Sequence, residues 1–255
     1  VLLCHLLIRH AVAALEKGRL SIVTAPVLIA CAHGTRDVRG RRAVGALVAA
    51  LAAARPGLVV EAAFVDVQPP TVADVVERTT ADGGSAVVVP LLLSRGFHVG
   101  VDVARAVEGR RAVAAGALGP DPRLASLLVY RLSAWGLAAG DAVVLAAAGS
   151  SDPRAAADVQ QVARAVQAHH AGPVSVGFGA GASPSVTQAV SAARAEHPGR
   201  RVVVAAYLLA PGFFHERLLG CGADVVAAPL LLAGAAPDPR LVEVVLDRYD
   251  AAVAQ

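Results

Sequence analysis

At 255 residues and 56% hydrophobic, the chain is long enough to bury a sizeable core in one or two domains, and with 4% aromatics that core must come from alanine, valine and leucine. The formal net charge of +3 rests on arginine, Lys17 being the single lysine; arginine's planar fork favours carboxylate and phosphate partners, while the lack of aromatic-interleaved basic runs argues against nucleic acid and for a small polyanionic ligand. Cys4, Cys31 and Cys221 are too scattered for a disulfide framework or a thiolate metal site and fit a reducing cytoplasm, and no uninterrupted apolar run is long enough to span a membrane.

The opening, VLLCHLLIRHAVAAL, lacks the basic start of a secretory signal and is interrupted by His5, Arg9 and His10. Methionine occurs nowhere, and Val1 reads as a literal GTG start, with Val23 a second candidate. Residues 1–22 are therefore read as a start-site artefact or a disordered leader.

From there, short β-branched runs alternate with helix-length amphipathic stretches, the pattern of a parallel sheet in an α/β fold. Strands are predicted near 27–32, 58–64, 86–92 and 112–116, with helices near 38–54, 71–80, 99–108 and 122–136. A second series follows: strands near 142–147, 173–178, 201–208 and 223–227, helices near 153–169, 184–196, 213–220 and 239–252. Asp121-Pro122, Asp152-Pro153, Ser183-Pro184 and Asp238-Pro239 each place proline near a helix start after a capping residue.

The two series are one series written twice. GPDPRLASLLVYRL (119–132) returns as APDPRLVEVVLDRY (236–249), CAHGTRD (31–37) aligns with AAAGSSD (146–152), and VEAAFVDVQPP (60–70) with VSVGFGAGASP (174–184). VVVPLLLSRGFH (87–98) aligns with VVVAAYLLAPGFF (202–214). The order is kept throughout, which marks an internal duplication. It predicts a first lobe over 23–137 and a second over 141–255, each a four-stranded parallel sheet, facing each other across a cleft.

In an open α/β sheet, ligands bind just past the carboxyl ends of the strands. Three first-lobe residues fall there: His33, Asp66 and His98. Two imidazoles and a carboxylate form a set that binds a divalent first-row ion with open positions. Gly34 permits close backbone approach, and Thr35, Arg36, Arg39, Arg41 and Arg42 add a helix start and positive charge. Asp102 lies one helical turn beyond His98, placed to orient it. Each residue also has a plainer reading: a capped basic helix for the HGTRD loop, a satisfied structural histidine for His98, a turn for Asp66.

The second half has lost most of this set. Ala148 stands for His33, Ala180 for Asp66 and Phe214 for His98, while His215 either enters the cleft or flanks a helix start. His169, His170 and His197 fall at predicted helix ends and are expected to be solvated, and Cys31 belongs to the core. Gly177 to Gly181 is not a G-x-G-x-x-G, so the nucleotide signal is weak.

AHGTRD, FVDVQPP and VVVPLLLSRGFHVGVD, in that order, resemble the motifs of the sirohydrochlorin chelatases of the CbiX/SirB type, in the class II tetrapyrrole chelatase superfamily. The resemblance covers about residues 26–255, and AAAGSSDP and YLLAPGFFHERL resemble the two-repeat bacterial form. It implies two flavodoxin-like lobes with the active site between them. It also implies insertion of a divalent metal into sirohydrochlorin without nucleotide hydrolysis: cobalt toward cobalamin or iron toward sirohaem, nickel also suiting the ligands, with no organic cofactor. His33 and His98 match the family's metal-binding and proton-accepting histidines, and Asp66 sits where the family commonly has an acidic residue, often glutamate. The macrocycle's eight carboxylates would be oriented by Arg36 and Arg95, with Thr35 and Asp102 also on the substrate side. No nucleic-acid or membrane partner is implied, and a fused pair of lobes completes one cleft as a monomer. Two other readings stand beside this one: a non-catalytic tetrapyrrole- or metal-binding protein, and a flavodoxin-like phosphate or flavin binder using the HGTRD loop.

Overall fold

Strands covered on both faces read as unbroken apolar runs, and that is how VLIACA and AVVLAA are built into the two sheets. A computed structural model describes residues 25–255, apart from the side chains of residues 97–99. The leader reading of residues 1–22 lies outside the described residues. Strands β1 (Val27–Ala32), β2 (Val60–Phe64), β3 (Ala86–Pro90) and β4 (Ala112–Ala114) form a parallel sheet in the order β2-β1-β3-β4. Strands β5 (Ala142–Ala147), β6 (Val174–Phe178), β7 (Val202–Tyr207) and β8 (Val225–Val226) repeat it as β6-β5-β7-β8. The predicted α/β fold with its internal duplication is the fold observed.

The first half carries α1 (Val38–Ala54), α2 (Val72–Thr80), α3 (Phe97–Val107) and α4 (Pro122–Ala134). The second carries α5 (Pro153–Gln167), α6 (Val186–Glu196), α7 (Phe213–Leu219) and α8 (Pro239–Val253). Four helices start with the same device: Asp37, Asp121, Asp152 and Asp238 each accept the backbone N–H two residues on, from Arg39, Arg123, Arg154 and Arg240. Each of those arginines also folds its guanidinium back onto the capping carboxylate. Ser183-Pro184 departs from the prediction. Pro184 precedes the helix, its carbonyl accepting from the Phe178 N–H, and Ser185 caps α6 through a capping box with Gln188.

Alternation along the strands divides the core. Leu28, Ala30 and Ala32 of β1 join Val143, Leu145 and Ala147 of β5 in one apolar cluster that runs through both lobes. Ile29 and Cys31 face the opposite way, under α2 and α3, as Val144 and Ala146 do under α6 and α7. The shared cluster exists because the last helix of each half crosses over. α8 packs on β3 and α1 of the first half, and α4 packs on β7 and α5 of the second. Leu241, Val244 and Val245 of α8 are fully buried by the crossing, worth about 1.5–3 kcal/mol each relative to exposure. The Tyr249 hydroxyl donates to the Pro26 carbonyl at 2.6 Å, and Arg248 donates to the carbonyls of Ala117 and Leu118 at 2.8 Å. Arg131, its counterpart on α4, donates to the Leu230 carbonyl at 3.0 Å. Among the described residues no helix is long and apolar enough to cross a membrane.

Candidate active site

The carboxyl edge of the first sheet is stitched by its own backbone. The Asp66 N–H donates to the His33 carbonyl at 3.0 Å, the Val65 N–H to Ala32 at 3.0 Å, and the Leu91 N–H to Cys31 at 2.7 Å. Gly34, at φ 97°, turns the chain directly over the Asp66 carbonyl, where any Cβ would collide with that oxygen. Gln68 then reaches back, its side-chain carbonyl accepting the Thr35 N–H at 3.1 Å, and the Thr35 hydroxyl accepts the Asp37 N–H at 3.1 Å. Two segments about thirty residues apart thus form one rigid rim.

On this rim the His33 imidazole is exposed and, among the described residues, makes no hydrogen bond or ion pair. Arg36 is likewise exposed and unengaged among them. Asp66 is exposed, with Oδ1 accepting the N–H of Val67 at 2.6 Å and Oδ2 making no hydrogen bond among the described residues. Val67 takes φ 70°, a left-handed backbone that a β-branched residue rarely adopts. Asp37 is held down to about 2 by the Arg39 guanidinium and N–H.

His98 is the second residue of α3, and its side chain is outside the described residues. Asp102, one turn further along, is half-buried and near enough to β1 that its negative charge adds to burial in pushing the Cys31 thiol up to about 12. Helix α3 itself packs on α2, β3 and β4. Among the described residues, no three His, Cys, Asp or Glu side chains converge as a metal-binding group.

The second lobe mirrors this edge without its chemistry. The Ala180 N–H donates to the Ala148 carbonyl at 2.9 Å, as Asp66 does to His33. Gly149 at φ 88° matches Gly34, and Gly181 at φ 67° matches Val67. Phe214 fills the space beside Gly179, where a Cβ would lie 2.9 Å from its ring. His215 turns to its own lobe, facing the Ala227 carbonyl at 3.4 Å. His170 is a correction to the expectation of a solvated residue: it is buried, with Nε2 2.8 Å from the Asp141 carbonyl, because the turn after α5 tucks it beneath β5.

Carboxyl-edge loops of the two lobes meet. The Arg39 guanidinium bridges Asp37 (2.7 Å) and Glu216 of α7 (2.6 Å), and Gly40 lies against Pro211 so closely that a Cβ would strike its carbonyl. Arg95, on the loop after β3, donates from its backbone N–H (3.1 Å), Nε (3.0 Å) and a terminal nitrogen (2.5 Å) to Asp158 of α5, which is 2% exposed. Beside it the Tyr207 hydroxyl donates to the Leu93 carbonyl at 2.7 Å. Burial pushes the Asp158 carboxyl up, but the hydrogen bonds and charge of Arg95 outweigh it and hold it below its ordinary value.

Sequence reasoning assigned no role to Gln68, although it lies in the FVDVQPP motif; a side-chain amide reaching back across a loop has no spacing signature. Asp158 was missed for the same kind of reason, since it acquires meaning only from the other lobe.

The fold is a two-lobed α/β architecture in which the second lobe repeats the first. The CbiX family model matches residues 7–134 and again 142–252. The chain therefore belongs to the CbiX family, with one copy of the family unit in each half. SirB from Bacillus subtilis with Fe3+ superposes at a TM-score of 0.73 and 20% identity, covering 90% of this chain and 96% of that one. The sirohydrochlorin chelatase SirB from Bacillus subtilis subspecies spizizenii in complex with cobalt gives 0.69 at 20% identity, covering 90% and 95%. CbiX, the terminal enzyme for biosynthesis of siroheme in denitrifying bacteria, gives 0.61 at 19% identity, covering 89% and 99%. No curated protein matches the chain.

Proposed function

We propose that the chain is a sirohydrochlorin chelatase that inserts cobalt or iron into the macrocycle, with His33, His98 and Asp66 as the reacting set. Membership of the CbiX family supports the reaction class, and the similar SirB structures hold Fe3+ and cobalt. The observation that carries the assignment of the site is the exposed, unengaged His33 imidazole on a backbone-locked rim.

Metallation removes two protons from pyrrole nitrogens while the ion exchanges its water for those nitrogens. An imidazole on an open rim can accept one proton and hold the ion loosely enough to pass it on. Asp66 Oδ2 and His98, at the start of α3, would complete the set. Arg36, beside the exposed imidazole, suits the peripheral carboxylates of the macrocycle. Arg95 is already committed to Asp158, so its part would be to hold the lobes in place and present its outer guanidinium edge. Two lobes in one chain supply both walls of a cleft, which supports a monomer, and the buried free thiols Cys31 and Cys221 fit a reducing cytoplasm.

The test is anaerobic absorbance of sirohydrochlorin mixed with Co(II) or Fe(II), with wild type beside His33→Ala and His98→Ala. Rapid metallation that collapses in both variants supports the assignment. Three proteins at the uncatalysed rate would leave a binding role as the better account, and tight metal binding without turnover would point the same way.

A further inference from the structure

The second lobe has lost the chemistry but keeps a ring at the mouth. Phe213, the first residue of α7, is 68% exposed, the most exposed large hydrophobic side chain among the described residues. Its neighbour Phe214 explains the outward direction: that ring is docked inward beside Gly179, and lines a small cavity with Phe178, Leu208 and Leu218. Successive helical residues point about a hundred degrees apart, so burying Phe214 turns Phe213 to solvent, with the two rings edge to face at 5.6 Å.

Its surroundings are fixed by the first lobe. Gly212, one residue before, lies against Thr35, a Cβ there falling 3.4 Å from the threonine hydroxyl. Glu216 anchors the same turn of α7 to Arg39. Phe213 is therefore held beside the rim that carries His33 and Arg36. Arg217 stands over the ring, its guanidinium carbon 5.6 Å from the centroid, and no carboxylate among the described residues pairs with it. A single exposed phenylalanine needs no explanation; one held beside the first-lobe rim, with a guanidinium on one face and the rest of the ring exposed, leaves a flat apolar surface next to a positive charge.

We propose that Phe213 and Arg217 form the second lobe's binding platform for the macrocycle, the ring stacking on the flat tetrapyrrole face and the guanidinium pairing with a peripheral carboxylate. This rests on the sirohydrochlorin reading above and assigns the degenerate half a positioning role in substrate binding. It also accounts for the asymmetry of the duplication: one half holds reacting groups, the other the plane against which the ring lies.

The test is titration of metal-free sirohydrochlorin into the full chain, followed by absorbance and fluorescence, with Phe213→Ala, Phe213→Trp and Arg217→Ala. Phe213→Ala is expected to weaken binding about tenfold, Phe213→Trp to keep wild-type affinity within about twofold, as stacking requires. Arg217→Ala is expected to weaken binding and flatten its salt dependence. In metallation assays Phe213→Ala should raise KM with kcat kept at saturating substrate, and its melting temperature should match wild type because the ring is exposed. Wild-type affinity and KM in Phe213→Ala would overturn the platform while leaving the chelatase reading intact. Failure of wild type itself to bind the macrocycle would overturn the chelatase reading.

Discussion

His33 and Asp66 are joined through their backbones: the Asp66 N–H donates to the His33 carbonyl at 3.0 Å. Their side chains are thus left to solvent while their main chains are fixed, so the position of each reactive group is set by the sheet edge and not by its own hydrogen bonds. Ala148 and Ala180 make the same bond at 2.9 Å in the second lobe, where no chemistry follows from it. The link belongs to the fold, and the side chains are what the first half adds to it.

For His33→Ala we accordingly expect metallation to fall about 10²–10⁴-fold, the range for a lost proton acceptor, with no change in melting temperature. Steady-state absorbance and differential scanning calorimetry on the same preparation check both halves of the statement. A large drop in melting temperature would show that the imidazole is structural.

Gly34 and Gly149 provide a matched pair. Both have positive φ and both leave no room for a Cβ beneath the facing carbonyl, of Asp66 and Ala180 respectively. Alanine at either position costs about 1–2 kcal/mol for the left-handed backbone alone, and the collision adds to it. We expect Gly34→Ala and Gly149→Ala to lower thermal stability by several degrees each, but only Gly34→Ala to lose most metallation activity at a temperature where both remain folded. Equal activity loss in the two would remove the functional asymmetry between the lobes.

Much of this was legible in the residues. The strands were, because sheets covered on both faces demand unbroken apolar runs such as VLIACA, and three of the four Asp-x-Arg caps were flagged by the proline that follows the aspartate. The duplication paired Gly149 with Gly34 and Ala180 with Asp66, while the contact of each glycine with the facing carbonyl emerges only in the folded chain. What stayed hidden depends on contacts between halves. Nothing in PDPRLVEVVLDRY announces that α8 will cover β3, since its apolar face would fit either sheet, and nothing around Asp158 marks it as the partner of Arg95. His170 was misread because a histidine after a helix end is ordinarily exposed; here the turn returns it under β5.

Val67 holds φ 70° next to Asp66, where the second lobe uses Gly181 at 67°. A left-handed valine stores strain of about 1–2 kcal/mol, and the second lobe shows the relaxed alternative at the same turn. We expect Val67→Gly to keep or raise the melting temperature, the relieved strain offsetting the greater freedom glycine adds to the unfolded chain. Metallation should fall severalfold, because the Val67 N–H that fixes Asp66 Oδ1 would then sit on a looser turn. Gly181→Val, the reverse change, should destabilise without touching the reaction. Unchanged kinetics in Val67→Gly would show the strain to be incidental.

Acid should weaken the joint between the lobes. Burial raises the Asp158 carboxyl, yet the Arg95 hydrogen bonds and charge hold it below its ordinary value. A carboxylate whose folded value is depressed contributes stability that is present above its unfolded pKa, near 3.9, and is lost as pH falls through the folded value. The Arg95–Asp158 contact should therefore hold undiminished at neutral pH and weaken progressively as pH falls below about 4. Melting temperature followed across that range should drop steeply for wild type. In Asp158→Asn it should start lower and fall less, because the group that titrates has been removed while its shape is kept. An identical pH profile in the two proteins would mean that the Arg95–Asp158 pair contributes nothing to holding the lobes together.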